Sequence, residues 1–221
     1  MTSRDDILGR VRANLGRNMT NSQPAKERMD AALAARTHGP KPLLDGSHDA
    51  LLARFREKSE MSSSTVEFVA RRDLAPAAVA RYLAEFQLPL HAVVQPALTG
   101  LDWSAAGLTV EARGAVDADL VGITGCFCAI AETGTLMMCS APSTPAAVSL
   151  LPETHIAIVD VKRLVPYMED AWALARAELG SLPRAVNFIS GPSRTGDIEL
   201  TIVLGAHGPY RVHIILVTGD E

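Results

Sequence analysis

Cysteine is scarce in this 221-residue chain: there are three, an odd number, all within residues 126–139. That argues against a disulfide framework, which needs an even, dispersed set. No fourth soft ligand stands at regular spacing, so no structural zinc or iron–sulfur motif is formed and no metal site is expected. Basic charge is not in excess either. Lysine and arginine number 21 against 25 acids, a net charge of −4, whereas neutralising nucleic-acid phosphates needs clustered cations. No apolar run reaches the roughly 18 to 20 residues that span a bilayer. The opening Met-Thr-Ser-Arg-Asp-Asp lacks an apolar signal core. A cytoplasmic protein is expected, in which the sequon at Asn18 is idle. The motifs G-x-S-x-G, H-E-x-x-H and G-x-G-x-x-G are also missing, and with them any visible flavin or nicotinamide signature.

What is present suits one α/β domain. Apolar residues make up 48% and charged residues 21%, enough to build a core and too apolar for wholesale disorder. Residues 3–15 read as a helix with Ile7, Leu8, Val11 and Leu15 on one face. A helix this short is marginal alone, so the stripe is expected to dock, on the chain's own core in preference to a partner. Residues 18–48 hold Pro24, Pro40 and Pro42 and read as a mobile polar linker, with a helical turn or two at 27–36. The expected division is therefore an appendage, 1–48, and a domain, 49–221. In the domain, helical spacing at 51–55, 76–86, 144–151 and 164–179 alternates with strand-like runs at 65–69, 91–94, 155–159, 185–189, 200–204 and 211–217. Pro166 is placed in the first turn of the last helix. Strand–helix alternation of this kind predicts a largely parallel sheet flanked by helices.

Three polar clusters interrupt the apolar texture. Gly122-Ile-Thr-Gly125 leads to Ala131-Glu-Thr-Gly-Thr135. Glu132, set in an apolar stretch beside Thr133, Gly134 and Thr135, is a candidate nucleophile or general base; a tight turn whose acid satisfies backbone N–H groups explains it equally well. Residues 191–199, Gly-Pro-Ser-Arg-Thr-Gly-Asp-Ile-Glu, have phosphate-loop glycine spacing, but Asp197 stands where the lysine should be. A carboxylate there repels phosphate, which rejects that motif. Ser193, Arg194 and Thr195 remain candidates for holding an anion, against internal pairing of Arg194 with Glu132, Asp197 or Glu199. His207, before Gly-Pro, is a possible proton shuttle and more often a polar turn residue. His155 and His213 read as satisfied core histidines, and Cys126, Cys128 and Cys139 as small core residues.

These blocks carry a resemblance. Taken in order, Gly122–Gly125, Ala129–Thr135, Ser149-Leu-Leu-Pro-Glu-Thr-His155, Ile189–Glu199 and Leu204-Gly-Ala-His-Gly-Pro209 resemble the lactate-utilisation (LUD) domain, and the short length and N-terminal helix are similar to its C-type members. The resemblance covers about residues 118–217. It implies the α/β fold shared by sugar-phosphate isomerases and CoA transferases. It also implies an accessory or regulatory role in oxidation of L-lactate to pyruvate, beside partner subunits that carry iron–sulfur clusters, with no cofactor in this chain. In related CoA transferases a glutamate attacks the acyl group, so the alternative is a stand-alone enzyme on an acyl-CoA or sugar phosphate using Glu132. The implied ligand is a small carboxylate or phosphate, held by Thr124, Thr133, Gly134, Thr135, Ser193, Arg194, Thr195, Asp197, Glu199 and His207. Two departures stand out: Cys126-Phe-Cys128 replaces acidic or small residues, and 140–147 lacks the family's usual glycine and arginine.

Overall fold

In the computed structural model the described residues are 3–16, 19–35, 37, 39–198 and 201–219, with side chains described for all of them except 19–22, 197, 198, 201 and 202. The chain divides at Leu43/Leu44 into two units.

The first unit is helical. Helix α1 (Ser3–Asn14) has Asp5 and Asp6 in its first turn and Arg12 in its last, the arrangement a helix dipole favours. None of its residues is buried, so the apolar stripe expected to be covered is exposed. Helix α2 (Met19–Ala35) corrects the linker reading. It runs for 17 residues with Pro24 inside it. Proline is a helix breaker, but Gln23, Ala25, Lys26, Glu27, Arg28 and six further residues from Met29 to Ala35 are strong helix formers. Pro24 removes only one ladder bond, and Gln23 donates to the Glu27 carboxylate one turn on (3.1 Å).

The second unit is built on a parallel sheet. Strands β1 (Thr65–Val69), β2 (His91–Val94), β3 (Thr109–Ala112), β4 (Val121–Thr124), β7 (Thr154–Asp160) and β12 (Arg211–Val217) lie in the order β1-β12-β7-β4-β2-β3, every pairing parallel. The central strands are apolar on both sides because both faces are covered. On one face helix α4 (Ala75–Glu85) lays Ala78, Val79 and Leu83 against Ile123, Ile156, Ile158 and Ile215. On the other, helix α3 (His48–Met61), N-capped by Ser47, buries Leu51 and Phe55 against Ala157, Val159, Ile214 and Leu216.

A second sheet shares that other face. Strands β5 (Cys128–Ile130), β6 (Thr135–Cys139), β8 (Leu164–Val165) and β9 (Val186–Ile189) pair in the order β8-β5-β6-β9. Helix α6 (Met168–Leu179) backs it through Ala171 and Ala175. The single helix expected over 164–179 is thus a short strand and then a helix. Val165 precedes Pro166, and a residue before proline is driven to extended backbone; the helix begins only after Tyr167, whose N–H is taken by the Asp170 carboxylate (3.2 Å). The helix expected over 144–151 shortens to α5 (Ala147–Leu150). Strand β10 (Arg194–Ile198) pairs antiparallel with β11 (Thr201–Leu204). The α/β class with a mainly parallel sheet flanked by helices is the architecture observed.

Candidate functional site

The polar clusters come together around one feature, the C-terminal end of α3. A helix end presents unpaired carbonyls and partial negative charge, and needs donors or a cation. Arg194, opening β10, supplies both. Its guanidinium donates to the Ser62 carbonyl (3.3 Å) and to the Ser63 hydroxyl. This is internal pairing, the alternative to a ligand role, made with a helix end; among the described residues no acid meets the guanidinium. Gly191 stands at φ +78°, where an added Cβ would lie 2.0 Å from the Ser62 oxygen. Gly134, at φ +65°, approaches the same helix from the β5–β6 turn; a Cβ there would lie 2.4 Å from the Ser59 nitrogen. Glycine is required at both positions.

Around these contacts the hydroxyls satisfy one another. Thr133 and Thr135 are joined through their Oγ1 atoms (2.7 Å), and Thr135 continues to Ser190 Oγ (2.6 Å). Ser193 Oγ accepts the His207 N–H (3.3 Å), while the Ser193 N–H donates to the Pro209 carbonyl (2.8 Å). The His207 side chain is exposed, and Thr195 lies in β10 opposite Val203. The side chain of Asp197 and the whole of Glu199 lie outside the described residues. Glu132 is half-buried in the turn; its N–H donates to the Pro166 carbonyl (3.0 Å) and its carbonyl accepts from Arg54 (3.4 Å). Its carboxylate takes no hydrogen bond or ion pair among the described residues.

Thr124 does not join this cluster. It is fully buried in the sheet, its hydroxyl 2.8 Å from His155 Nε2. His155 Nδ1 has no partner, so the reading of a satisfied core histidine holds for one ring nitrogen only. His213 is similar: Nδ1 meets the Thr65 hydroxyl (2.8 Å), the ring stacks on Tyr82, and Nε2 makes no hydrogen bond. Burial lowers both imidazoles from 6.5 to about 4, which keeps them neutral. It raises the Cys126 thiol and takes the Cys128 thiol up to about 12. Neither is a nucleophile at neutral pH, as small core residues should not be.

A second region, largely unmarked in the sequence, has the geometry of a binding site. A cleft of about 580 Å³ opens where the loops leave the carboxyl ends of β1, β2, β4 and β7, the edge at which open α/β sheets bind ligands. Gln95 directly follows β2 and is 3% exposed. Its Oε1 accepts the Gly125 N–H (3.0 Å), which fixes the amide and leaves the Nε2 donors unpartnered. Arg72, just past β1, lines the same cleft half-buried, its guanidinium making no hydrogen bond or ion pair among the described residues. Arg163 is the opposite case. It is clamped by both oxygens of Glu178 (2.6 and 2.8 Å) and donates to the Phe127 carbonyl (2.8 Å). Of this region only Gly125, Cys126, Phe127, Cys139 and the loop after them drew notice in the sequence. A polar residue closing an apolar strand, as Gln95 closes 91–94, is the signal that points there. Among the described residues no group of three or more metal-ligating side chains occurs, and no helix is long and apolar enough to cross a membrane.

The family profile described as LUD domain matches residues 52–217. A protein of Exiguobacterium sp. named lactate utilization protein C is 34% identical over 231 residues, covering 98% of this chain and 96% of its own. The Bacillus subtilis protein of that name is 41% identical over 101 residues, 44% of this chain and 42% of its own. A crystal structure of a DUF162 family protein from Deinococcus radiodurans aligns with a TM-score of 0.61 at 25% identity, over 80% of this chain and 99% of that one.

Proposed function

The chain belongs to the LUD domain family, and from that premise we propose that it takes part in lactate utilisation, as an accessory or regulatory subunit of a system that oxidises L-lactate to pyruvate. The observation that carries this reading is the near full-length relative named for lactate utilisation, aligned over 98% of the chain. Hydride or electron removal is assigned to partner subunits bearing iron–sulfur clusters, since this chain shows no flavin, nicotinamide or cluster signature in its sequence. Its own contribution is to bind a small anion and to dock. The protein acts in the cytoplasm, where those partners and reduced thiols coexist.

The test is a native pull-down of the tagged full chain from its host grown on L-lactate, under conditions that preserve clusters. Recovery of iron–sulfur oxidoreductase subunits is the expected result. Recovery of the chain alone would overturn the subunit reading. A second reading, a stand-alone enzyme on an acyl-CoA or sugar phosphate, has one observation in its favour: the half-buried Glu132 carboxylate is uncommitted. Its turn is separate from the cleft lining.

A further inference from the structure

The carboxyl-edge cleft holds four ionised side chains: Arg72, Asp160, Arg163 and Glu178. Arg163 and Glu178 neutralise each other in a bidentate pair. That leaves one cation and one anion, Arg72 and Asp160, facing the same space without an ion pair between them. Asp160 commits one oxygen to the Lys162 N–H (2.9 Å) and keeps the other. Gln95 adds a second kind of uncommitted group. Its side chain is almost wholly buried, its carbonyl end is held by Gly125, and its amide donors have no partner. The Nε2 donors are not sealed off in the core but open on the cleft, where a ligand or water can take them.

We infer that this cleft binds a small organic monocarboxylate bearing a hydroxyl, with Arg72 and Gln95 as its carboxylate donors and Asp160 as the acceptor for the hydroxyl. Guanidinium and amide N–H groups are matched to carboxylate oxygens. Asp160 selects within that class, because a second carboxylate or a phosphate dianion beside it would be repelled. Leu98 and Met138 give the cleft an apolar wall for the carbon skeleton, and its volume falls among small-molecule sites. The assignment deepens the anion-binding part of the reading above and rests on it only there. It moves the anion from Arg194, whose guanidinium is held by the end of α3, to Arg72.

The test is calorimetric titration of the full chain with L-lactate, propionate, succinate and inorganic phosphate. L-lactate is expected to bind, and propionate, lacking the hydroxyl, to bind more weakly. Arg72→Gln is expected to weaken L-lactate at least about tenfold with little shift in the ligand-free melting midpoint, because the guanidinium makes no hydrogen bond or ion pair among the described residues. Gln95→Glu keeps an acceptor for Gly125 and replaces the free donors with charge, so it is expected to abolish binding. Absence of L-lactate binding at tens of millimolar overturns the proposal. So does undiminished binding in Arg72→Gln, or tighter binding of succinate or phosphate than of L-lactate; equal binding of propionate removes Asp160 from the site. A chain that binds L-lactate but recovers no partners would refute the subunit reading alone, and a chain that recovers partners but binds no L-lactate would refute this one.

Discussion

The turns gathered at the end of α3 and the cleft at the carboxyl edge of the sheet use polar residues in opposite ways. At the end of α3 the polar groups of the motif blocks are spent inside the protein, although Arg54 Nε and Ser64 Oγ nearby find no partner. Arg194 caps a helix, Thr133, Thr135 and Ser190 bond one another, and two glycines exist so that backbones can touch. At the cleft, the Gln95 amide is fixed through its oxygen with its donors uncommitted, and the Arg72 guanidinium makes no hydrogen bond or ion pair among the described residues. A dense motif therefore marks where the backbone has exacting needs, while a binding site is marked by uncommitted donors that open on a cleft. Glu132 is the exception that ties the two regions together, being a motif residue with a free carboxylate.

The largest effect that bears on this contrast belongs to the glycines. Gly134→Ala forces a left-handed residue into the Ser59 backbone, combining strain with overlap that a helix end cannot relieve. A loss of about 4 kcal/mol or more is expected in denaturant unfolding. A loss below about 1 kcal/mol would mean that the loops are not packed on α3 as described.

Next comes pH. His155 and His213 sit near 4 when folded and near 6.5 when unfolded. Between those values the unfolded chain binds more protons, so their contribution is complete above pH 6.5 and is lost as pH falls toward 4. From pH 7.5 to 5 the two together should cost on the order of 4 kcal/mol. The effect belongs to the sheet beneath the cleft, since His155 bonds Thr124, the neighbour of Gly125. His155→Leu should remove about half of the pH dependence whatever it does to stability at neutral pH; an unchanged slope would assign the acid lability elsewhere.

Much of this was legible in the sequence, and the reasons it was not are local. Buried strands such as β7 and β12 stand out as apolar runs, and α4 by its spacing. Leu164 and Val165 mimic the spacing of the helix that follows, and only the rule about residues before proline separates them. Arg194–Ile198 reads in the sequence as part of a polar cluster with Gly196 inside it, although it is a strand of a hairpin. The edge strand β3 has period-two alternation, Val110 and Ala112 against Thr109 and Glu111, but over four residues only, too short a run to stand out. The motif blocks identified the family through its packing constraints. Arg72 and Gln95 are single residues far apart in sequence, and only the sheet brings them to one edge.

Arg194→Ala gives a smaller effect and sharpens the contrast directly. Removing an exposed cap should cost about 1 kcal/mol. If Arg194 is a capping group only, L-lactate affinity stays the same. A tenfold weakening with no loss of stability would return the anion site to the loop cluster.

Glu132→Gln should have the smallest effect. The main chain of residue 132 is held from both sides, by the Pro166 carbonyl and by Arg54, and neither contact involves the carboxylate. Glutamine is isosteric, so a change within about 0.5 kcal/mol is expected, with L-lactate affinity unaltered. The variant then isolates the one property that distinguishes Glu132 from its neighbours. If that carboxylate were a nucleophile, incubating the wild-type chain with acetyl-CoA would form an acyl-glutamyl anhydride and expel the CoA thiolate, and the variant could do neither. The expected result is no thiol release above background from either chain. Release from the wild type alone would show that the motif-rich turn keeps a free group for chemistry, and the division between a spent region and an unspent one would have to be drawn through the loop itself.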